Sequence, residues 1–207
     1  MHNLTQAVVY GKKLQIFDLG NVLYKVDARR TMAALEALGM PHIDGAISNS
    51  HAAGGPFALY CDGKISTAEF LNGVREACRI PKATDDQILE AWNAMLLGFR
   101  RESILAVREA SKGGSLVVLL SNCNEYHALT CRNEYRDLYP DHGSFDSLFD
   151  HVFFSQEIGM SKPDPRTWQL VLDTMGVRPS DAVFYDDSEI NIKAAEALGI
   201  KSVIFSL

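Results

Sequence analysis

Long apolar runs are missing from this chain of 207 residues, and so is any excess of positive charge. No uninterrupted stretch approaches the roughly 18 residues of a membrane-spanning helix, so no membrane span is expected. Lys and Arg number 20 against 26 Asp and Glu, a net charge of −6. Nucleic acid and anionic membrane both want a basic stripe, so neither is expected as a partner. A small phosphorylated ligand stays open, because a local cation or metal overrides the global field. Cysteine is sparse. Cys61, Cys78, Cys123 and Cys131 show no C-x-x-C spacing, which argues against a zinc site or disulfide framework and for reduced, mostly buried thiols in a cytoplasmic protein. The histidines never pair at metal-ligand spacing. Met1 to Lys13 lacks the basic region and apolar run of a secretory signal. Repeats and low-complexity segments are absent, and nothing distinguishes a monomer from a homodimer.

What is present is ordinary globular composition, 47% hydrophobic and 22% charged, so the order of the elements carries the information. A chain of this size buries roughly 70% of its unfolded surface and needs no staple. It accommodates one large domain or a domain with a sizeable insertion. Lys12 to Phe17 reads as a strand, and the Val8-Val9 pair suggests a short one over Gln6 to Tyr10. Helices are expected over Ala28 to Leu38, from a Ser66 or Thr67 cap to about Arg79, and over Asp85 to Phe99, where Ile88, Leu89, Trp92, Met95 and Leu96 share a face. Pro41 to Pro56 reads as short helix and loop. From Arg101 strands and helices alternate: strands at Leu116 to Leu120, Val152 to Phe154, Ala182 to Tyr185 and Val203 to Phe205, and helices at Ser103 to Lys112, Asn124 to Asp137, Pro165 to Met175 and Glu189 to Leu198. Alternation on both sides of an all-helical block predicts an α/β fold: a parallel sheet with helices on both faces, interrupted after its first strand by a helical insertion.

Four strand ends carry chemistry. The first runs Ile16-Phe17-Asp18-Leu19-Gly20-Asn21, an acid where a buried strand stops beside a sharp turn. The others offer Ser121-Asn122, Ser161-Lys162-Pro163 and Asp186-Asp187-Ser188. Each alone has a bland explanation, as a turn, a solvated loop or an N-cap. Following four expected parallel strands, they converge on one crevice at the carboxyl edge. A carboxylate pair is costly unless a cation neutralises it. The acids suggest Mg2+, which prefers carboxylates, carbonyls and water. Ser121 and Asn122 offer donors for phosphate oxygens, and Lys162 a fixed cation. Nucleophile, metal, hydroxyl and lysine together fit phosphoryl transfer through an aspartyl-phosphate.

The motifs F-D-L-G-N-V, L-L-S-N, G-M-S-K-P-D and F-Y-D-D-S resemble the four signatures of the haloacid dehalogenase superfamily of hydrolases, over nearly the whole chain. The nearest branch holds sugar-phosphate phosphatases of the bacterial α-D-glucose-1-phosphate phosphatase kind and the N-terminal phosphatase domain of soluble epoxide hydrolases. The resemblance implies a Rossmann-like core from residues 1–26 and 99–207, with an inserted all-α cap at 27–98. It implies Asp18 as nucleophile and Mg2+ ligand, the Gly20 carbonyl and Asp187 as further ligands with Asp186 beside them, and Ser121, Asn122 and Lys162 holding the phosphoryl group.

Gly20 departs from the family pattern. Most phosphatases of the superfamily place a second Asp there, which protonates the leaving group. Glycine keeps the carbonyl and loses the proton carrier, worth about 10²- to 10⁴-fold. The expected substrate is a small phosphorylated metabolite, with sugar phosphates favoured. Two alternatives compete: a metal-independent 2-haloacid dehalogenase, and a catalytically weakened phosphate-binding module. Phe57, Tyr60 and Trp92 are candidates either for substrate contact or for the cap's own core.

Overall fold

The computed structural model describes residues 8–42 and 55–205. In chain order its elements begin with β1 (Leu14–Phe17) and β2 (Tyr24–Val26). A helical block follows: α1 (Ala28–Ala37), α2 (Pro56–Cys61), α3 (Thr67–Ala77) and α4 (Asp85–Asn93). Then come β3 (Leu96–Phe99), α5 (Arg101–Lys112), β4 (Leu116–Ser121) and α6 (Glu125–Leu138). The chain continues through β5 (His151–Phe154), a short α7 (Ser155–Ile158), α8 (Pro165–Met175), β6 (Ala182–Asp186), α9 (Glu189–Ala197) and β7 (Lys201–Ile204).

The large sheet runs β5-β4-β1-β6-β7, with every neighbouring pair parallel. Its inner strands are largely apolar because both faces are covered. Val117, Leu119, Val183 and Tyr185 point into one core with residues of α5 and α6. Leu14, Ile16, Val118, Leu120, Ala182 and Phe184 point into the other, against Trp168, Val171 and Leu172 of α8 and Ala195 of α9. The helical block has its own core, built around Phe57, Tyr60, Phe70 and Trp92. Those aromatics, open between two roles in the sequence, are buried packing residues. The block's helices start at reciprocal caps. Ser66 pairs with Glu69, as the sequence suggests, and Thr84 with Gln87, each cap worth about 1 kcal/mol. Among the described residues, no helix is long and apolar enough to cross a membrane.

Two expectations fail. The helix expected through Phe99 stops at Asn93, and Leu96–Phe99 pairs antiparallel with Tyr24–Val26 as a two-stranded ribbon. Met95 and Leu96 fit a helical stripe equally well, but the ribbon satisfies the backbone here: Asp27 N–H donates to the Met95 carbonyl at 2.9 Å and Arg100 N–H to that of Leu23 at 2.8 Å. The helical block therefore enters and leaves through a strand pair that its apolar periodicity concealed. Val8 and Val9 form no strand either. Val9 is held by side chains instead: its N–H donates to the Tyr185 hydroxyl at 2.8 Å and its carbonyl accepts from the Gln15 amide at 2.9 Å. Gln6 and Ala7, and most of the Pro41 to Pro56 segment, lie outside the described residues.

Candidate active site

Parallel pairing brings the ends of β1, β4, β5 and β6 to one edge. Asp18 follows β1, and its N–H extends the ladder to the Tyr185 carbonyl at 3.0 Å. The Lys162 ammonium lies between two carboxylates, 2.7 Å from Asp18 Oδ1 and 2.6 Å from Asp186 Oδ2. All three side chains are buried. Asp186 also accepts from the Ser188 N–H at 2.8 Å and from the Asn191 amide at 3.1 Å. Asn191 escaped the sequence-based reading. Its signal was a position five residues after Asp186, on the first turns of the following helix.

Lys162 is placed by Asn122. The Asn122 Oδ1 accepts the Lys162 N–H at 2.9 Å and its amide donates to the Lys162 carbonyl at 2.8 Å. The Asn122 side chain, expected to face phosphate, is engaged in fixing the loop that carries the lysine. Ser121 ends β4 and is buried. With Gly20, Val26, Leu96 and Asn122 it lines a cavity of about 150 Å³. A helical-block loop packs against the segment that precedes Lys162. Asp62 accepts from the Ser161 hydroxyl. Gly63, at φ +66, lies so close to Gln156 that a Cβ there would clash with the Gln156 carbonyl oxygen.

Burial pushes the Asp18 carboxyl up to about 6, opposed by Lys162 and assisted by Asp186. Burial works against the Lys162 charge, yet the two carboxylates outweigh it and hold the ammonium above its ordinary range. Asp187 is raised as well, mainly by partial desolvation of its carboxylate, with Asp186 adding repulsion. One oxygen from each of Asp18, Asp186 and Asp187 lies within 4.8 Å of the others. Three carboxylates against one ammonium leave two negative charges uncompensated. Hard oxygen donors with that deficit fit a divalent ion such as Mg2+.

The family model of the haloacid dehalogenase-like hydrolases matches residues 12–199. The chain belongs to this family. It is similar to the D-ribitol-5-phosphate phosphatase of Bacteroides thetaiotaomicron, at 27% identity over 195 residues, covering 90% of this chain and 88% of that protein. A crystal structure of a HAD family enzyme from the same organism, in complex with magnesium and inorganic phosphate, superposes with a TM-score of 0.82 at 30% identity, covering 94% of each chain. The pig bifunctional epoxide hydrolase 2 is 24% identical over 200 residues, and there 91% of this chain spans 35% of the longer relative.

Beside the site, His127 lines the cavity and is buried against Trp92, with ring centroids 4.7 Å apart and its Nε2 3.3 Å from the Trp92 carbonyl. Burial lowers its pKa to about 4. Between about pH 4 and the ordinary histidine value near 6.5, the unfolded chain binds the proton and the folded one does not. Stability should therefore fall as pH drops through that window, by up to about 3 kcal/mol from this residue. Denaturant melts of wild type and His127→Gln at pH 7.5 and pH 5 check it: the variant should show the smaller pH-dependent loss.

Proposed function

We propose that this hydrolase is a Mg2+-dependent phosphatase acting on a small phosphorylated metabolite, a sugar or polyol phosphate, through an aspartyl-phosphate on Asp18. The observation that carries it is the buried Asp18–Lys162–Asp186 arrangement with Asp187 beside it, a site two positive charges short of neutrality. Lys162 holds Oδ1 of Asp18, which leaves Oδ2 as the attacking atom. That oxygen forms a bond to phosphorus as the ester oxygen departs, and water then cleaves the acyl phosphate and regenerates the carboxylate. Lys162, fixed by Asn122, stabilises charge on the phosphoryl oxygens. The Ser121 hydroxyl supplies a further donor. Asp18, Asp187 and the Gly20 carbonyl, with Asp186 beside them, are the residues that would hold magnesium, which when bound offsets phosphoryl charge. Residues 27–98 act as the cap over a core of 1–26 and 99–207, and the reduced thiols suit a cytoplasmic location.

A metal-independent dehalogenase fits less well, because two uncompensated carboxylate charges would repel an anionic haloacid. Phosphate release from a panel of sugar and polyol phosphates, with and without Mg2+ and with Asp18→Asn as blank, tests the proposal. Release from none of them, or chloride release from 2-chloropropionate without metal, overturns it.

Gly20 offers a second test. A Cβ at this position would sit 3.7 Å from Asp18 Oδ2 and 3.9 Å from Val26 Cγ2, ordinary contact distances. The backbone therefore accepts a Cβ without a clash where the usual proton carrier is missing. Gly20→Asp should raise turnover of primary alkyl phosphates by about tenfold or more, part of what a general acid supplies. Esters whose leaving groups need little protonation should gain less. Equal gains on both would count against a missing proton transfer.

A further inference from the structure

Asn21 connects two parts of the molecule that catalysis would need to coordinate. Its backbone is left-handed, at φ 54, a conformation that costs most side chains and suits Asn and Gly. Its N–H donates to the Tyr24 carbonyl at 2.7 Å. The side chain then works in two directions. Oδ1 accepts the N–H of Val26 at 3.1 Å, and Nδ2 donates to Asp187 Oδ2 at 2.9 Å. Val26 is the last residue of β2, and the next residue, Asp27, caps the first helix of the helical block. One amide thus spans from the ribbon that carries the block to a carboxylate of the candidate metal cluster.

Resting on the phosphatase reading above, we infer that Asn21 is a positioning residue that holds the Asp187 carboxylate in its metal-binding rotamer and couples metal binding to the ribbon at the base of the cap. Asp187 is an exposed residue at the start of a loop. Unrestrained, its side chain would lose rotamer freedom each time an ion bound. The Asn21 donor removes that freedom beforehand and leaves the second carboxylate oxygen available. Partners of this kind, which touch the ligand and not the ion, commonly account for about 10- to 100-fold in metal affinity. Because the same amide accepts from Val26, an ion that strengthens the Asn21–Asp187 contact also steadies the ribbon, and by linkage the ribbon's position feeds back on the ion. Asp187 and Asn21 are 166 positions apart in sequence, so only the fold reveals the pair.

Asn21→Gly tests this directly, since Gly accepts the left-handed backbone and deletes only the amide. Mg2+ binding is measured by calorimetry on wild type and variant, without substrate. Hydrogen exchange of the Val26 amide is followed in parallel, with and without Mg2+. The expected results are an approximately tenfold or greater loss of Mg2+ affinity, and a metal-dependent slowing of Val26 exchange in wild type that disappears in the variant. Unchanged affinity in a variant that melts within a few degrees of wild type overturns the assignment, since Asn21 would then be a turn residue only. Lowered affinity with metal-dependent protection of Val26 retained removes the coupling. A wild type that binds no Mg2+ overturns the metal site itself, and that outcome is distinct from both.

Discussion

Asp18→Asn should lower turnover on any accepted phosphate ester by on the order of 10⁴-fold or more, because the amide has no lone pair basic enough to form the acyl phosphate. The same substitution should not weaken the fold. In the metal-free protein the carboxylate is buried and its pKa is pushed up to about 6, so its charge opposes folding at neutral pH. A carboxyl raised in this way contributes stability below its unfolded value near 4 and loses that contribution as pH rises through about 6. The amide of the Asp18→Asn variant does not titrate and escapes that loss. The variant should therefore melt no earlier than wild type at pH 7.5 in the absence of metal, and the comparison should reverse in favour of wild type when Mg2+ is added. Activity and melting measured together separate a missing nucleophile from a damaged fold. An inactive variant that also melts far below wild type without metal would contradict this account.

Lys162→Met should do the opposite to stability. The ammonium is shared between Asp18 and Asp186 at 2.7 Å and 2.6 Å, and all three groups are buried. Removing it leaves two buried carboxylates with no counter-charge bonded to them, a change that typically costs about 3–5 kcal/mol. The loss should be greatest at neutral pH and shrink toward pH 5, where Asp18, whose carboxyl burial already raises, takes a proton and the repulsion ends. Magnesium should restore part of it, by supplying positive charge to the same carboxylates. Turnover should fall by at least about 10²-fold even at saturating metal, since a fixed cation aimed at developing charge is worth several kcal/mol of barrier. Denaturant titrations at pH 7.5 and pH 5, each with and without Mg2+, read the first effect, and phosphate release at saturating Mg2+ reads the second. A destabilisation that grows toward low pH would show that the lysine is not neutralising these carboxylates.

Much of this site is legible from the chain alone, for a physical reason. A parallel sheet puts every strand's carboxyl end on one edge, so polar residues that directly follow apolar runs are brought together whatever the helices between them do. Asp18, Ser121, Lys162 and Asp186 each follow such a run or its loop, and they converge. The residues that orient them follow no such rule. Asn122 looks like a phosphate donor beside Ser121, yet its amide is engaged with both polar atoms of the Lys162 backbone. Asn191 and Asn21 reach Asp186 and Asp187 across turns whose geometry is set by packing. Secondary structure fails at Leu96–Phe99 on the same ground, since a short, largely apolar segment fits a helix or a strand until a partner strand is present.

The sequence by itself determined the alternation that builds the five-stranded parallel sheet, the burial of that sheet on both faces and the identity of the charged groups at its edge. These follow from local periodicity and from the position of each acid relative to a strand. Only the tertiary structure decided which charges compensate one another and which amides hold them. Those contacts join positions 24, 40, 144 and 166 residues apart. The energy of a buried ion or hydrogen bond depends on the partner that the fold places within about 3 Å, and no local pattern specifies that partner.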